Sequence, residues 1–430
     1  MSILAEPLAR TLLLMRDEIR AEATDATLLD ALTTTEIVVT GDCSTLASHA
    51  AQTAFVTIAM LCARSGHKVY LAAPDVSLVG PQPLLSGKTL ISGLMELDGR
   101  IVPAPCFMSG VPHREIDLEI RLGTIPSLGT ARRSLALSAT TWDAHLAPSP
   151  RAAWPDGLSW PLGAMAGAAV VAAEAFNIAM RKVRMFARSP VLFDDLFAPI
   201  ADTRVTLAPA TTPTLHNLGL FDLISGGAIS HAVLYAVAHI PAVRGVARVL
   251  EPDIAEFSNL NRYALLLTDH IGFSKSTQLA ELPLGGLTLI PAPVRYENAA
   301  TNGPLAKSVL VGVDHIPTRW NVQRAQPNWL GVGATTHWSA MASFHKPGNP
   351  CAACLHPYDD PTDGPIPTVA FVSFMAGLQL ASYFLQSAGD GSPSSQQTYI
   401  TMPRPNSLWR GPVAWHPRCP VGHGVGQRAA

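Results

Sequence analysis

Charge is scarce in this chain: Asp, Glu, Lys and Arg make up only 14% of its 430 residues, against 48% hydrophobic residues. That scarcity excludes a chain kept unfolded by its own charge and implies extensive burial. Neither sign dominates, the formal net charge being -2, so no nucleic-acid or polyanion partner is expected. Cysteines are few, six in all and scattered, which excludes a secreted disulfide framework and makes a reducing cytoplasm the expected setting. The N-terminal "MSILAEPLARTLLLMRDEIRAEA" lacks a small-residue cleavage pattern and turns acidic after its apolar part, so it reads as an amphipathic helix and not as a signal peptide. Two apolar runs, Pro161 to Met180 and Thr368 to Leu385, approach membrane-spanning length. Each carries a polar residue midway, Glu174 or Gln379, and lacks charged flanks on both sides, so both read as buried helices with no membrane partner.

What the chain has is length and repetition. At 430 residues it exceeds one ordinary core, which favours two domains. "TEIVVTGDCS", "TLASHAAQTAFVTIAMLCARSG" and "HKVYLAAPD" read as strand, helix and strand, a β-α-β unit. About 180 residues later "LFDLISGGAI", "SHAVLYAVAHI" and "RGVARVLEPD" repeat the pattern, with Ser48-His49-Ala50 matching Ser230-His231-Ala232 and Pro74-Asp75 matching Pro252-Asp253. The expected fold is α/β, two Rossmann-like halves with mostly parallel sheets, divided near the polar "FARSPVLFDDLFAPIADTRVTLAPATTPT" into residues 1–200 and 201–430. Only the second half carries a dense polar cluster, "EPDIAEFSNLNRYALLLTDHIGFSK", so the chemistry is expected there.

A nucleotide pocket in such a fold needs a tight turn, a helix N-terminus for phosphates and an acid for the ribose. The turn is Ser225-Gly226-Gly227-Ala228-Ile229-Ser230, a GxGxxG with Ser at the first and third glycine positions. Glu251 follows about 24 residues beyond Gly227, where a ribose acid belongs, with Asp253 beside it. Asn259, Asn261, Arg262 and Lys275 then add donors and cations suited to a triphosphate and to the charge developing at an attacked α-phosphorus.

The acid pair, the "SNLNR" of "EPDIAEFSNLNR" and the 13-residue step from Arg262 to Lys275 in "DHIGFSK" resemble the signature of the superfamily of ThiF, MoeB and the ubiquitin-activating enzymes. The resemblance covers residues 215–425 well and the first half only as a degenerate copy. It departs at the two turn serines and at Tyr263, where the family usually has Gln. The resemblance implies that Asp314 of "SVLVGVDHIPTR" orients magnesium and the ATP phosphates. It implies ATP-dependent adenylation of the C-terminal carboxylate of a ubiquitin-like β-grasp protein, with a conjugating enzyme as second partner. Compact two-copy proteins of this kind occur in bacterial ubiquitin-like conjugation operons, an antiphage-defence setting. A sulfur-carrier adenylyltransferase, whose single-copy relatives form homodimers, and a scaffold that binds the modifier without chemistry are the alternatives.

"HKPGNPCAACLHP" and "WHPRCPVGHG" place Cys351, Cys354, Cys419 and His423 in two short knuckles, a ligand set for a structural zinc, with His416 and His356 as alternative fourth ligands. The family resemblance leads one to expect a transfer cysteine in the loop at residues 355–367, yet that loop has none. It offers Thr362, with Thr368 and Ser373 at the start of the next helix, and His356 or Asp363 as a base for an oxyester route. Direct transfer to a partner, or to Cys43 or Cys106 in the first half, are the other routes.

Overall fold

The computed structural model describes residues 2–207, 212–359, 364–389 and 395–422. Alternating strand and helix signals resolve into two sheets. The first contains β1 (Glu36–Gly41), β2 (Lys68–Ala72), β3 (Phe107–Ser109), β4 (Leu118–Leu122), β5 (Ser134–Ala139), β6 (Asp143–Ala147) and β7 (Thr203–Thr206), ordered β3-β2-β1-β4-β5-β6-β7. The second contains β8 (Asn217–Ile224), β9 (Arg244–Leu250), β10 (Leu287–Ala292), β11 (Ser308–Val311), β12 (Trp329–Thr336), β13 (Ser339–His345), β14 (Gln397–Thr401) and β15 (Trp409–Gly411), ordered β10-β9-β8-β11-β12-β13-β14-β15.

Strand for strand, the second sheet repeats the order of the first and adds β15. The sense of pairing repeats too. Pairing is parallel from the β3 edge through β5 and antiparallel from β5 to β7. In the same way it is parallel from β10 through β12 and antiparallel beyond. Both sheets are therefore mixed, each with a parallel region at one side. Central β1 is buried along its whole length, which its apolar "IVV" run requires of a strand covered on both faces.

Helices His49–Arg64, Leu162–Lys182, Ala228–Ala238 and Ala370–Ala388 pack between the sheets, and one hydrophobic cluster runs through both halves. The Phe176 and Phe371 rings meet at 5.5 Å, and the Thr57 hydroxyl bonds that of Tyr235 at 2.9 Å. Leu162–Lys182 is long and apolar enough to cross a membrane, yet 94% of its apolar window is buried in the protein. Its one mid-helix charge, Glu174, is held by Arg133, by Arg181 at 2.9 Å and by the Ile200 N–H at 2.8 Å. A buried carboxylate so compensated is a core feature. Within the polar stretch between the halves, residues 190–206 hold helix Pro190–Leu196 and then β7, so the first sheet runs past residue 200.

Candidate nucleotide site and cysteine cluster

The carboxyl ends of β8, β9 and β11 open on a cavity of about 930 Å³, at the switch point where an open α/β sheet binds ligands. Ser225 and Gly227 enter it from the turn after β8, Glu251 and Asp253 from the end of β9, and Asp314 from beyond β11. Asn259, Arg262 and Lys275 close one side.

The turn explains its own departures from glycine. Ser225 stands at φ +107°, a region that favours glycine, so the serine carries backbone strain. Its hydroxyl compensates by accepting the Gly227 N–H at 2.9 Å and donating to Glu251 Oε2 at 3.3 Å. The same Oε2 accepts the Gly226 N–H at 2.7 Å, and Oε1 accepts the Asp253 N–H at 3.0 Å. Glu251 thus ties the turn to the end of β9. Gly227 caps helix Ala228–Ala238 without a side chain, leaving N–H groups and the positive dipole end toward the cavity. Gly226 and Ser230, both expected in the phosphate cradle, do not line the cavity. Ser230 is buried within the first turn of the helix, against Gly312.

Lys275 is buried, and its Nζ meets Asp253 Oδ2 at 3.1 Å. Burial pulls its pKa down, but Tyr263, Glu251 and Asp253 together push it higher, so it is a firm cation. Arg262 donates to the Ser258 carbonyl at 2.5 Å and to Asn261 Oδ1 at 2.8 Å, and burial lowers its pKa from the ordinary arginine value. Asn259 is engaged in a capping box, its Oδ1 accepting the Glu256 N–H at 3.0 Å. Asn261, expected as a phosphate donor, is turned away. Its amide donates to Thr11 Oγ1 at 2.9 Å and to the Thr368 carbonyl at 3.0 Å, pinning the N-terminal helix to the start of the last long helix. Asp314 is exposed within the cavity and makes no hydrogen bond or ion pair among the described residues. Its neighbour Arg319, whose pKa burial lowers to about 10, holds the Val313 carbonyl through two N–H groups at 3.0 and 2.7 Å and so shapes the loop that presents Asp314.

Three lining groups escaped sequence reasoning. Arg10 comes from the N-terminal helix, where it also donates to the Ile366 carbonyl at 3.4 Å. Arg295 follows β10, and His315 pairs with Thr318 Oγ1 at 2.9 Å. Arg10 and Arg295 lie in no recognisable motif, and His315 is simply the residue after Asp314; Arg10 reaches the site only because its helix docks on the second half.

Thr368 and Ser373 are brought together: their hydroxyls lie 2.9 Å apart on the cavity wall. Thr362 and Asp363 lie outside the described residues. His356 does not face the cavity, which removes it as a base for those hydroxyls. It is half-buried near Arg319 and His345, and burial lowers its pKa to about 3. Cys43 is exposed on the turn of the first half, whereas Cys106 is buried, which pushes its thiol up to about 12.

Away from the cavity, the sulfurs of Cys351, Cys354 and Cys419 all lie within 4.8 Å of one another, with Cys351 3.8 Å from Cys354 and 3.5 Å from Cys419. Burial, and then the neighbouring thiols, raise the pKa of Cys351, a cost that a bound cation would relieve. Three converging sulfur donors fit a tetrahedral metal. His423 lies outside the described residues, and His356 and His416 do not join the cluster.

Residues 36–193 match the family model described as the BilD N-terminal domain. That stretch contains β1 to β6 and none of the cavity lining. An uncharacterized protein, y4jF, of Sinorhizobium fredii is 30% identical over 145 residues, 33% of this chain and 28% of its own length. The SAMP-activating enzyme E1 of Haloferax volcanii is 28% identical over 152 residues, 33% of this chain and 56% of its own. Among solved structures, E. coli MccB with AMPCPP and MccA aligns at a TM-score of 0.42 and 17% identity, over 58% of this chain and 74% of that one. The chain thus spans 28% and 56% of the two curated relatives it matches, and its first half is similar to the BilD N-terminal domain.

Proposed function

We propose that the protein is an activating enzyme of the ThiF, MoeB and ubiquitin-activating kind, which adenylates the C-terminal carboxylate of a small ubiquitin-like β-grasp protein. One observation carries this reading: Glu251, Arg262 and Lys275 of one segment and Asp314, about 40 residues further on, line one cavity at the carboxyl ends of parallel strands. Glu251 takes the ribose, and the helix N-terminus after Gly227 takes phosphate. The modifier's carboxylate, already ionised at neutral pH, attacks the α-phosphorus. A carboxyl oxygen–phosphorus bond forms, the bond to the bridging oxygen breaks, and pyrophosphate leaves with that electron pair. Arg262 and Lys275 stabilise the charge that develops. Asp314 would hold magnesium, whose chemistry is to neutralise phosphate charge. Cys351, Cys354 and Cys419, with His423, would hold zinc.

The acyl group then passes to a conjugating enzyme, directly or through an oxyester on Thr368 or Ser373; the attacking partner nucleophile or hydroxyl displaces AMP from the adenylate and gives up its proton to solvent. The modifier, that partner, the inactive role of the first half and a cytoplasmic location belong to the same reading. The strain at Ser225 and the occupied carboxylate of Glu251 favour a second reading, a scaffold that binds a modifier without turnover. Exchange of labelled pyrophosphate into ATP distinguishes them: it should require the modifier and vanish with Asp314→Ala. Absence of exchange with every β-grasp protein encoded beside this one would sink the enzyme reading.

A further inference from the structure

We infer that Tyr263 is a phosphate-binding residue of this site, its hydroxyl donating to ATP beside the N-terminus of helix Ala228–Ala238. The inference rests on the adenylation reading and deepens it. Tyr263 is only 5% exposed, yet it lines the cavity. Its ring is held on several sides: the Arg262 guanidinium carbon lies 5.2 Å from the ring centroid, Lys275 Nζ 5.7 Å, and the His231 ring packs at 4.7 Å. Two cations over an aromatic face, with an imidazole packed against it, fix the ring as a platform.

That platform would be served as well by phenylalanine, so the hydroxyl needs a separate explanation. Buried tyrosines ordinarily satisfy their O–H. Among the described residues this hydroxyl makes no hydrogen bond, and unlike the ring it is not shut away: it opens on the cavity. Its position is known from the turn: a carbon placed on Gly227 would lie 3.6 Å from the Tyr263 oxygen. The donor therefore stands beside the open end of an 11-residue helix, on a ring that both cations flank, where an anionic oxygen has most to gain. An amide-bearing glutamine at this position lacks the ring that seats Arg262 and Lys275, so tyrosine supplies both platform and donor.

Tyr263→Phe in the full chain removes only the hydroxyl. The KM for ATP in pyrophosphate exchange should rise about tenfold or more, the usual worth of a hydrogen bond to a charged acceptor. The inhibition constant of adenosine, which has no phosphate, should stay within about twofold of the parent, since no charged acceptor is involved. An unchanged KM for ATP, or equal losses for ATP and adenosine, would overturn the assignment. A wild-type chain that binds no ATP would remove the adenylation reading and this one together; normal ATP binding by wild type with an indifferent Tyr263→Phe removes this one alone.

Discussion

The guanidinium of Arg64, in the first half, donates to the main-chain carbonyl of Leu266, in the second, at 2.7 Å. The same group reaches the carbonyls of Leu260 at 2.7 Å and Ala264 at 3.0 Å, and it is fully buried. These carbonyls bracket Arg262 and Tyr263, so a residue without access to the cavity sets the path of the chain that lines it. Arg64→Met should leave three buried acceptors unsatisfied and cost about 3 kcal/mol or more. Urea denaturation checks the stability, and a parallel rise in the KM for ATP would show that the loss reaches the site.

Arg10 lines the cavity from the N-terminal helix. Arg10→Ala should weaken ATP binding while leaving adenosine binding intact, because on the adenylation reading the group lost is a cation that meets phosphate. Removing an ion pair of this kind costs about 1–2 kcal/mol, a several-fold to roughly thirtyfold effect measurable by calorimetry.

The paired hydroxyls of Thr368 and Ser373 set a test of acyl transfer. Intact-mass analysis after incubation with ATP and modifier should find an adduct that survives replacement of both Cys43 and Cys106 and is released by strong base. Its loss in Thr368→Ala or Ser373→Ala would identify the ester; its absence from the parent chain would point to direct transfer.

Metal analysis of the purified chain should find one zinc per molecule, held by Cys351, Cys354 and Cys419. Cys351→Ser should remove most of it and lower the melting temperature, as should a strong chelator. ATP binding should persist, since none of the three sulfurs lines the cavity.

Acid should destabilise the fold through its buried histidines. Burial lowers His67 to about 4 and His239 to about 3, from 6.5 in the unfolded chain. Below 6.5 the unfolded chain takes up protons that the folded one refuses, so stability is full above 6.5 and falls as pH drops through the window from 6.5 to about 4 and about 3. The slope is about 1.4 kcal/mol per pH unit for each group. Urea midpoints between neutral and acid pH measure it, and His67→Asn should flatten the dependence.

Much of this was legible in the chain. The recurrence of Ser-His-Ala and Pro-Asp pointed to two similar β-α-β halves, because residue period and turn chemistry are local properties; the shared strand order came from the structure. Glu251, Arg262 and Lys275 were legible for the same reason: their spacing belongs to one continuous segment. Ser230 misled because the GxGxxG pattern counts positions along the chain, whereas the helix begins at Ala228 and turns Ser230 inward. Asn261 misled because residue type does not say which way a side chain faces.

The sequence by itself determined the β-α-β order of each half, the acid and cations of the second, and the knuckle cysteines, all written in short-range patterns. Only the tertiary structure decided that Arg10 enters the cavity, that Arg64 holds the Arg262 segment, that Thr368 meets Ser373 at 2.9 Å and that Ser225 bears φ +107°. Arg10 and Arg64 act on partners about 200 or more residues away in sequence, and nothing in local propensity records a pairing that exists only once the two halves share a core.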